Sequence, residues 1–96
     1  MTADELIIMS AECDSIYLNG VTFHCAKLSA GGAIETCRAV TSGTVKNAIA
    51  IIRPPGHHAE SSRPMGFCIF DNVSIAAKIC QQDFPAICQK VLILDW

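Results

Sequence analysis

Two short runs made entirely of apolar residues constrain the fold of this chain more than any other feature. Residues 48–52 (AIAII) and 91–94 (VLIL) show no alternation of apolar and polar side chains, so neither segment has a face suited to water. Runs of this length are typical of strands that are buried on both faces of a parallel sheet, between layers of helices. We therefore expect two central strands in a sheet covered by helices.

The first part of the chain predicts a helix followed by a short strand. Thr2 and Glu5 have the spacing of a capping box, in which each side chain bonds the backbone of the other residue. Apolar residues at positions 6, 7, 9 and 11 then fit one short helix. Residues 15–18 (SIYL) predict a strand, which the turn pair Asn19-Gly20 closes.

The longest periodic segment predicts a second helix over Phe23–Thr41. Its apolar residues recur mainly at three- and four-residue spacing, with Thr22 as the expected N-cap and an end near Gly43. The pair Gly31-Gly32 lies inside this helix, where each glycine costs about 0.5–1 kcal/mol relative to alanine. We expect that a neighbouring element packs closely against this pair.

A third helix is predicted over residues 72–83, with Asp71 as its N-cap and Pro85 after its end. Residues 53–66 before it are rich in proline, glycine and serine and predict a loop. Helices and strands thus alternate, which favours an α/β fold with a parallel sheet flanked by helices, in three layers. Ligands of such sheets bind beyond the carboxyl ends of strands, where Arg53 to His58 and Asp95 are found.

The composition is unusual for a chain of this size. Its 96 residues allow one domain at most, yet 51% are apolar and only 17% are charged, with a mean hydropathy of +0.38. A small domain exposes much of its surface and needs more polar cover than this. The composition excludes intrinsic disorder and indicates a membrane protein, an obligate oligomer or a piece of a larger protein.

Charge and hydropathy argue against nucleic-acid binding and against a membrane protein. A net charge of −2 gives no basic surface for nucleic acid. The apolar runs are far shorter than the roughly 20 residues that a membrane helix needs, and the acidic N-terminus lacks the features of a secretory signal. We therefore expect no direct binding to nucleic acid or membrane, and a protein that is not secreted.

Six cysteines leave two interpretations open. No CxxC pair is present, which argues against a structural zinc ribbon or finger. Most of the cysteines lie within apolar segments, where a free thiol packs as a small hydrophobic group. A metal or redox protein that uses these thiols is the alternative, and it predicts bound zinc or oxidised cysteines.

The sequence Arg53-Pro-Pro-Gly-His57-His58 carries the strongest chemical signal. Two prolines fix the backbone just beyond a predicted strand, and such a stiff turn can hold side chains in place for catalysis. Adjacent side chains usually point in different directions, so two proton-handling roles fit the histidine pair at least as well as metal chelation. Asp95 follows the second strand at the matching end of the sheet, which predicts a His–Asp dyad.

These motifs resemble those of the zinc-dependent histone deacetylases, most closely the class II enzymes of fungi. The segments that carry the resemblance are residues 53–59 (RPPGHHA), 66–68 (GFC), 72–77 (NVSIAA), 92–96 (LILDW) and the helical segment 22–37. The resemblance covers nearly the whole chain and implies the arginase–deacetylase fold. Asp71 departs from the pattern, since class II members usually have asparagine there.

The resemblance also implies roles for individual residues. His57 corresponds to the histidine that pairs with an aspartate, here Asp95, and His58 to the general base that later acts as the acid for the leaving amine. Gly66 corresponds to the residue whose carbonyl accepts a hydrogen bond from the substrate amide. Phe67 corresponds to one aromatic wall of the lysine tunnel. Asp95 also corresponds to a ligand of a structural potassium ion.

The family pattern continues beyond Trp96 into a segment that carries zinc ligands. We therefore expect residues 1–96 to be an internal fragment of a histone deacetylase catalytic domain, without a second domain and without the zinc ligands. The complete domain would bind zinc, act on acetylated histone tails or other acetyl-lysine proteins, and associate with subunits of corepressor complexes. Alone, the chain is expected to be inactive.

Two other functions are compatible with this sequence. Acetylpolyamine amidohydrolases share the fold and the tandem histidines, so the resemblance fixes the chemistry better than the substrate. A non-catalytic truncated form could instead bind a partner deacetylase through exposed edges of its sheet.

Overall fold

The computed structural model describes residues 1–13 and 16–96, and it contains three α-helices in this part of the chain. Helix α1 spans Ala3–Glu12, α2 spans Thr22–Thr41 and α3 spans Asn72–Asp83. Helices α2 and α3 pack against each other, while α1 contributes no buried residue. None of the helices within the described residues combines the length and hydropathy needed to cross a bilayer.

Local capping explains where α1 and α3 begin, as predicted. The Thr2 hydroxyl accepts a hydrogen bond from the Glu5 amide at 3.2 Å, and the Glu5 carboxylate accepts one from the Thr2 amide at 2.9 Å. Asp71 accepts hydrogen bonds from the amide and the hydroxyl of Ser74 at the start of α3. These side chains satisfy amide groups that have no partner within the helix.

The predicted N-cap of α2 is wrong, because Thr22 is already the first residue of the helix. Val21 occupies the N-cap position and makes no side-chain cap. The Thr22 hydroxyl accepts from the Asn19 amide at 2.9 Å, and the Asn19 side chain accepts from the Val21 amide at 3.0 Å. Asn19 and Thr22 therefore organise the turn before the helix. At the other end, Gly43 has a φ of 83°, which confirms the predicted stop.

Small side chains form the interface between α2 and α3. The buried residues of α2 are Ala26, Ser29, Ala30 and Ala33, and those of α3 are Asn72, Ala76 and Cys80. Such small side chains let the two helix backbones approach each other. An ion pair between Arg38 of α2 and Asp83 of α3, at 2.7 Å, joins the exposed rims of the same helices.

The predicted strands are not strands in this structure. Residues 48–52 and 91–94 have no regular secondary structure, and no backbone-to-backbone hydrogen bond joins either segment to another part of the described chain. The same holds for Ile16–Leu18, whereas Ser15 lies outside the described residues. The single β-bridge found in the described ranges links Met65 and Cys68. A β-strand requires hydrogen bonds to the backbone of a neighbouring strand, and these segments have no such neighbour among the described residues.

The two apolar segments are not buried within the described chain, for the same reason. Ile51 is 97% exposed and Leu92 is 91% exposed. Ile52 is the exception, because it is half-buried over Gly32 of α2. A Cβ atom added at Gly32 would lie 3.0 Å from the Cγ2 atom of Ile52. This contact confirms the predicted close approach at Gly32, while Gly31 has open space around it.

Candidate functional site

A buried hydrogen-bond network holds the loop that carries the two histidines. The Asn72 side-chain amide donates to the Ser29 hydroxyl at 3.0 Å and to the Pro54 carbonyl at 3.1 Å, and Ser29 donates to the same carbonyl at 2.7 Å. Ser29 and Asn72 are only 2% and 3% exposed. The network therefore fixes the Pro54 carbonyl between α2 and α3, three residues before His57.

Gly56 continues this anchoring by bringing the loop against the start of α3. A Cβ atom at this position would lie 2.5 Å from the Asn72 backbone nitrogen and 2.6 Å from the Phe70 carbonyl oxygen. Only glycine allows the two backbones to approach this closely. The loop and α3 are thus joined by direct backbone contact as well as by the Asn72 side chain.

His57 and Asp95 meet across 38 positions of sequence. The His57 Nδ1 and Asp95 Oδ2 atoms are 2.6 Å apart, and each side chain is about half exposed. A carboxylate at this distance accepts a hydrogen bond from Nδ1–H, which fixes the tautomer and leaves Nε2 to exchange a proton. The structure therefore brings together the two residues of the predicted dyad.

The His58 ring lies against the His57 ring. Their ring centroids are 4.2 Å apart with an angle of 49° between the planes, so the expectation that the two side chains point in different directions is wrong. The His58 amide donates a hydrogen bond to the fully buried Cys68 sulfur at 3.3 Å. This bond ties the histidine backbone to the segment that carries Gly66 and Phe67.

Gly66 and Phe67 form the tip of a tight turn beside His58. Met65 and Cys68 exchange two backbone hydrogen bonds, at 3.0 and 2.9 Å, and both central residues have positive φ, 55° for Gly66 and 66° for Phe67. Positive φ at both positions is the mark of a type I′ turn. It leaves the Phe67 ring 68% exposed. An aromatic residue in this region of φ is rare and is typical of functional sites.

The turn also packs directly on the histidine pair. A Cβ atom at Gly66 would lie 2.8 Å from the Cδ2 atom of His58, so the absence of a side chain lets the turn approach the ring. The four residues predicted to act with Asp95 thus form one contiguous surface. A cavity of about 540 Å³ opens beside it, and His57, Asp71, Asn72 and Asp95 contribute to its wall.

The residues of this surface do not fit a zinc ion. No three histidine, cysteine, aspartate or glutamate side chains within the described ranges surround a common point that could hold a metal. The Nδ1 atom of His57 and the Oδ2 atom of Asp95 are hydrogen-bonded to each other. The surface is suited to proton transfer and to contact with an alkyl chain, and the proposed potassium ligand role of Asp95 stays a prediction.

The sequence pattern did not single out Ser29 and Asn72 as site residues, although both determine where the histidine loop lies. One signal was available in α2. Ser29 stands on the same helix face as Ala26, Ala30 and Ala33, and a polar residue on an otherwise apolar face requires a hydrogen-bond partner. The identity of that partner depends on the tertiary structure.

Comparisons with known proteins give the family of this chain. Residues 2–96 match the family model of the histone deacetylase domain. The whole chain is 49% identical to the histone deacetylase HDA1 of Candida albicans and 50% identical to the histone deacetylase clr3 of Schizosaccharomyces pombe. Over 93 residues it is 44% identical to the polyamine deacetylase HDAC10 of Rattus norvegicus.

The match covers a limited part of each relative. The chain spans 12% of the length of the Candida protein, 14% of the Schizosaccharomyces protein and 16% of the rat protein. Because the family model covers residues 2–96, the assignment holds for nearly every residue of the chain. This chain therefore belongs to the histone deacetylase family.

Proposed function

We propose that this chain forms part of the catalytic domain of a zinc-dependent lysine deacetylase that hydrolyses Nε-acetyl-lysine on histones. The observation that carries the proposal is the 2.6 Å contact between His57 and Asp95. It lies beside a second histidine, within a segment that matches the histone deacetylase domain.

The histidine pair supplies the proton transfers that amide hydrolysis needs. Attack on the amide requires removal of a proton from water, and departure of the lysine amine requires a proton in return. The Asp95 carboxylate orients the His57 ring through its contact with Nδ1. We assign to His58 the role of general base and later general acid, with the His57 ring beside it.

Gly66 and Phe67 fit the role of substrate contacts. The exposed Phe67 ring provides an apolar wall for the methylene chain of lysine, which carries no charge along its length. The Gly66 carbonyl lies on the same turn and is an acceptor for the amide N–H of the substrate. Its present neighbour, the Cys68 thiol at 3.4 Å, is a weak donor that the substrate amide can replace.

The described residues do not form a zinc site, so we propose that the zinc ligands belong to other parts of the domain. In this proposal the residues of this chain supply the proton transfers and the substrate contacts, and they do not bind the zinc ion. We also propose that residues 48–52 and 91–94 are strands of the parallel sheet in the complete arginase–deacetylase fold. Their exposed backbone groups and apolar side chains support this, since both would gain partners there.

The proposed substrates and partners follow from the same assignment. Acetylated histone tails and other acetyl-lysine proteins are the expected substrates, and subunits of corepressor complexes are the expected partners. Such a role places the protein in the nucleus or the cytoplasm.

A polyamine deacetylase is the second candidate, favoured by the 44% identity to the polyamine deacetylase HDAC10 of the rat. An acetylated polyamine also presents an amide at the end of an alkyl chain, so the same wall and the same histidines would serve. The two candidates differ in what surrounds the far end of the substrate.

A chimaera tests the proposal directly. Residues 1–96 would replace the matching segment of the Schizosaccharomyces histone deacetylase clr3, which is 50% identical over this length. We expect the chimaera to deacetylate an acetyl-lysine histone peptide, and His58→Ala to lower kcat by at least about 100-fold. His24→Ala is the matched control, because His24 is exposed on α2 and outside the site.

The outcomes separate the candidates. Turnover of N-acetylspermidine with no turnover of the histone peptide would favour the polyamine substrate. A folded chimaera in which His58→Ala and His24→Ala are equally active would contradict the proposed role of the histidine pair. Thermal unfolding of each variant checks that a loss of activity does not arise from a loss of structure.

A further inference from the structure

The Cys68 thiol lies between the two parts of the candidate site. Its sulfur accepts a hydrogen bond from the His58 amide at 3.3 Å and donates one to the Gly66 carbonyl at 3.4 Å. The side chain is fully buried, with an exposed fraction of 0%. One sulfur atom therefore connects the backbone of the proposed general base to the carbonyl that is proposed to accept the substrate amide.

The two ends of this bridge differ in what else holds them. The turn that carries Gly66 has its own backbone hydrogen bonds, which Met65 and Cys68 exchange at 3.0 and 2.9 Å. The His58 amide, in contrast, makes no hydrogen bond to a backbone carbonyl of the described residues, and the Cys68 sulfur is its partner. Loss of the thiol would therefore release His58 while the turn kept its shape.

The position of the His58 ring depends on its backbone. The ring contacts the His57 ring, with 4.2 Å between the centroids, and it packs on Gly66, whose lack of a side chain makes room for it. Both are packing contacts, and the His58 side chain is exposed to solvent. The hydrogen bond to Cys68 is the directional contact that determines where the ring is presented.

We propose that Cys68 is a positioning residue for the deacetylation reaction, an inference that rests on the function proposed for this chain. It holds His58 at a fixed distance from the Gly66 carbonyl, so that the ring that transfers protons and the bound substrate amide are correctly spaced. A displacement of about 1 Å can cost about 100-fold in rate, which makes this distance important. Cys68 acts through His58 and Gly66 and does not contact the reacting atoms.

A thiol suits this place better than a hydroxyl does. An S–H group is a weak donor and its sulfur a weak acceptor, so the substrate amide can take over the Gly66 carbonyl without strong competition. A serine hydroxyl would donate more strongly and at a shorter distance, about 2.7–2.8 Å. The thiol thus satisfies the carbonyl in the free site and releases it to the substrate, while its sulfur retains the His58 amide.

The test uses the chimaera with the Schizosaccharomyces enzyme, with kcat and KM measured on an acetyl-lysine histone peptide. We expect Cys68→Ala to lower kcat by about 10-fold or more, because His58 loses its anchor. KM should stay within about 3-fold of the parent value, because the turn with Gly66 remains.

Cys68→Ser separates the two hydrogen bonds of the thiol. Its hydroxyl oxygen still accepts from the His58 amide, so we expect this variant to restore most of kcat relative to Cys68→Ala. The same hydroxyl competes with the substrate amide for the Gly66 carbonyl, so we expect KM to rise by about 3-fold or more.

Cys80→Ala is the matched control, because Cys80 is also a buried free thiol, at 4% exposure, and its polar contact is Thr41. It should lower Tm and leave kcat unchanged, which distinguishes a loss of packing from a loss of position. Thermal unfolding of every variant accompanies the kinetics.

Hydrogen exchange of the His58 amide in the 96-residue chain, followed by NMR, gives a readout that does not depend on activity. We expect Cys68→Ala to speed this exchange by about 5-fold or more, because the amide loses its hydrogen-bond partner. Cys80→Ala should leave it unchanged. The exchange rates and the alanine kinetics decide the question even where the serine variant does not fold.

Three results would overturn the positioning role. They are equal kcat for Cys68→Ala and Cys80→Ala in an active chimaera, a folded Cys68→Ser variant with kcat as low as that of Cys68→Ala, and His58 exchange that Cys68→Ala does not change. Failure of the proposed function is recognised separately, because His58→Ala would then be as active as the parent chimaera. That result would remove the role of Cys68 in the reaction as well, whatever the exchange rates.

Discussion

Ser29 and Asn72 position the candidate site although neither belongs to it. Their hydroxyl and amide groups both bond the Pro54 carbonyl, and both side chains are buried. A buried carbonyl that loses its donors has no water to replace them, which makes the loss costly. These two buried residues therefore hold the histidine loop at Pro54, whereas the histidine side chains themselves are exposed.

We therefore expect Asn72→Ala to lower the free energy of unfolding by about 2 kcal/mol, since it removes the donor to the Ser29 hydroxyl and one of the two donors to the Pro54 carbonyl. Ser29→Ala removes one hydrogen bond to Pro54 and should cost about 1 kcal/mol. Urea unfolding of the chain, followed by circular dichroism, measures both changes.

Ser42→Ala is the control for these two variants, because Ser42 is an exposed residue after α2 and should change stability by less than about 0.5 kcal/mol. If Asn72→Ala is no more destabilising than Ser42→Ala, then the network does not hold the loop in the way the distances indicate.

At the scale of the elements, the helices could be predicted from sequence and the strands could not. The bounds of α3 and its cap at Asp71 are as predicted, because a helix bonds to itself within four residues. The N-cap of α2 was misplaced by one residue, because Asn19 competes for the Thr22 hydroxyl. Residues 48–52 and 91–94 have the composition of strands, but pairing requires a neighbour that composition does not specify.

The two adjacent glycines of α2 give a matched pair for testing the packing on this helix. Gly31→Ala should raise the free energy of unfolding by about 0.5–1 kcal/mol, since alanine favours the helix and open space surrounds the position. Gly32→Ala should gain less or destabilise, because its Cβ would meet the Ile52 side chain at 3.0 Å. Urea unfolding of both variants measures the difference.

Shortening the opposing side chain completes this test. Ile52→Ala combined with Gly32→Ala should recover part of the gain that Gly31→Ala shows, since the contact is then relieved. Equal stabilisation by Gly31→Ala and Gly32→Ala would mean that residues 48–52 do not rest on α2.

At the scale of the whole molecule, the chain is extended and its large apolar side chains face outward. The radius of gyration is 15.0 Å, compared with about 12.5 Å for a compact domain of this length. The core consists of small residues, with Leu18 as its largest member. Five large apolar side chains beyond the helices, at positions 49, 51, 92, 94 and 96, are each at least 77% exposed. They are called the exposed apolar surface below.

An exposed apolar surface of this kind favours association. We expect the purified chain to self-associate as its concentration rises, measured by sedimentation velocity, and to bind the dye ANS. The double variant Ile51→Lys with Leu92→Lys should shift the chain towards monomer and lower the dye fluorescence without loss of helical circular dichroism.

Ile87→Lys is the matched control, since Ile87 is exposed in the turn after α3 and lies outside this surface. A wild-type chain that stays monomeric at high concentration, or an Ile87→Lys variant that is as effective as the double variant, would contradict the assignment of the surface.

The sequence by itself determined the three helices, the stiff histidine loop and the residues of the candidate site, because these depend on local periodicity, capping and recognisable motifs. Only the tertiary structure decided that His57 meets Asp95, that Ser29 and Asn72 hold Pro54, and that the Cys80 and Cys88 thiols lie beside the Thr41 hydroxyl. Each of these contacts joins residues that lie far apart in the chain, and local sequence does not encode which distant groups come within hydrogen-bond distance. Residues 48–52 show the same limit, since a strand exists only where another backbone satisfies its hydrogen bonds.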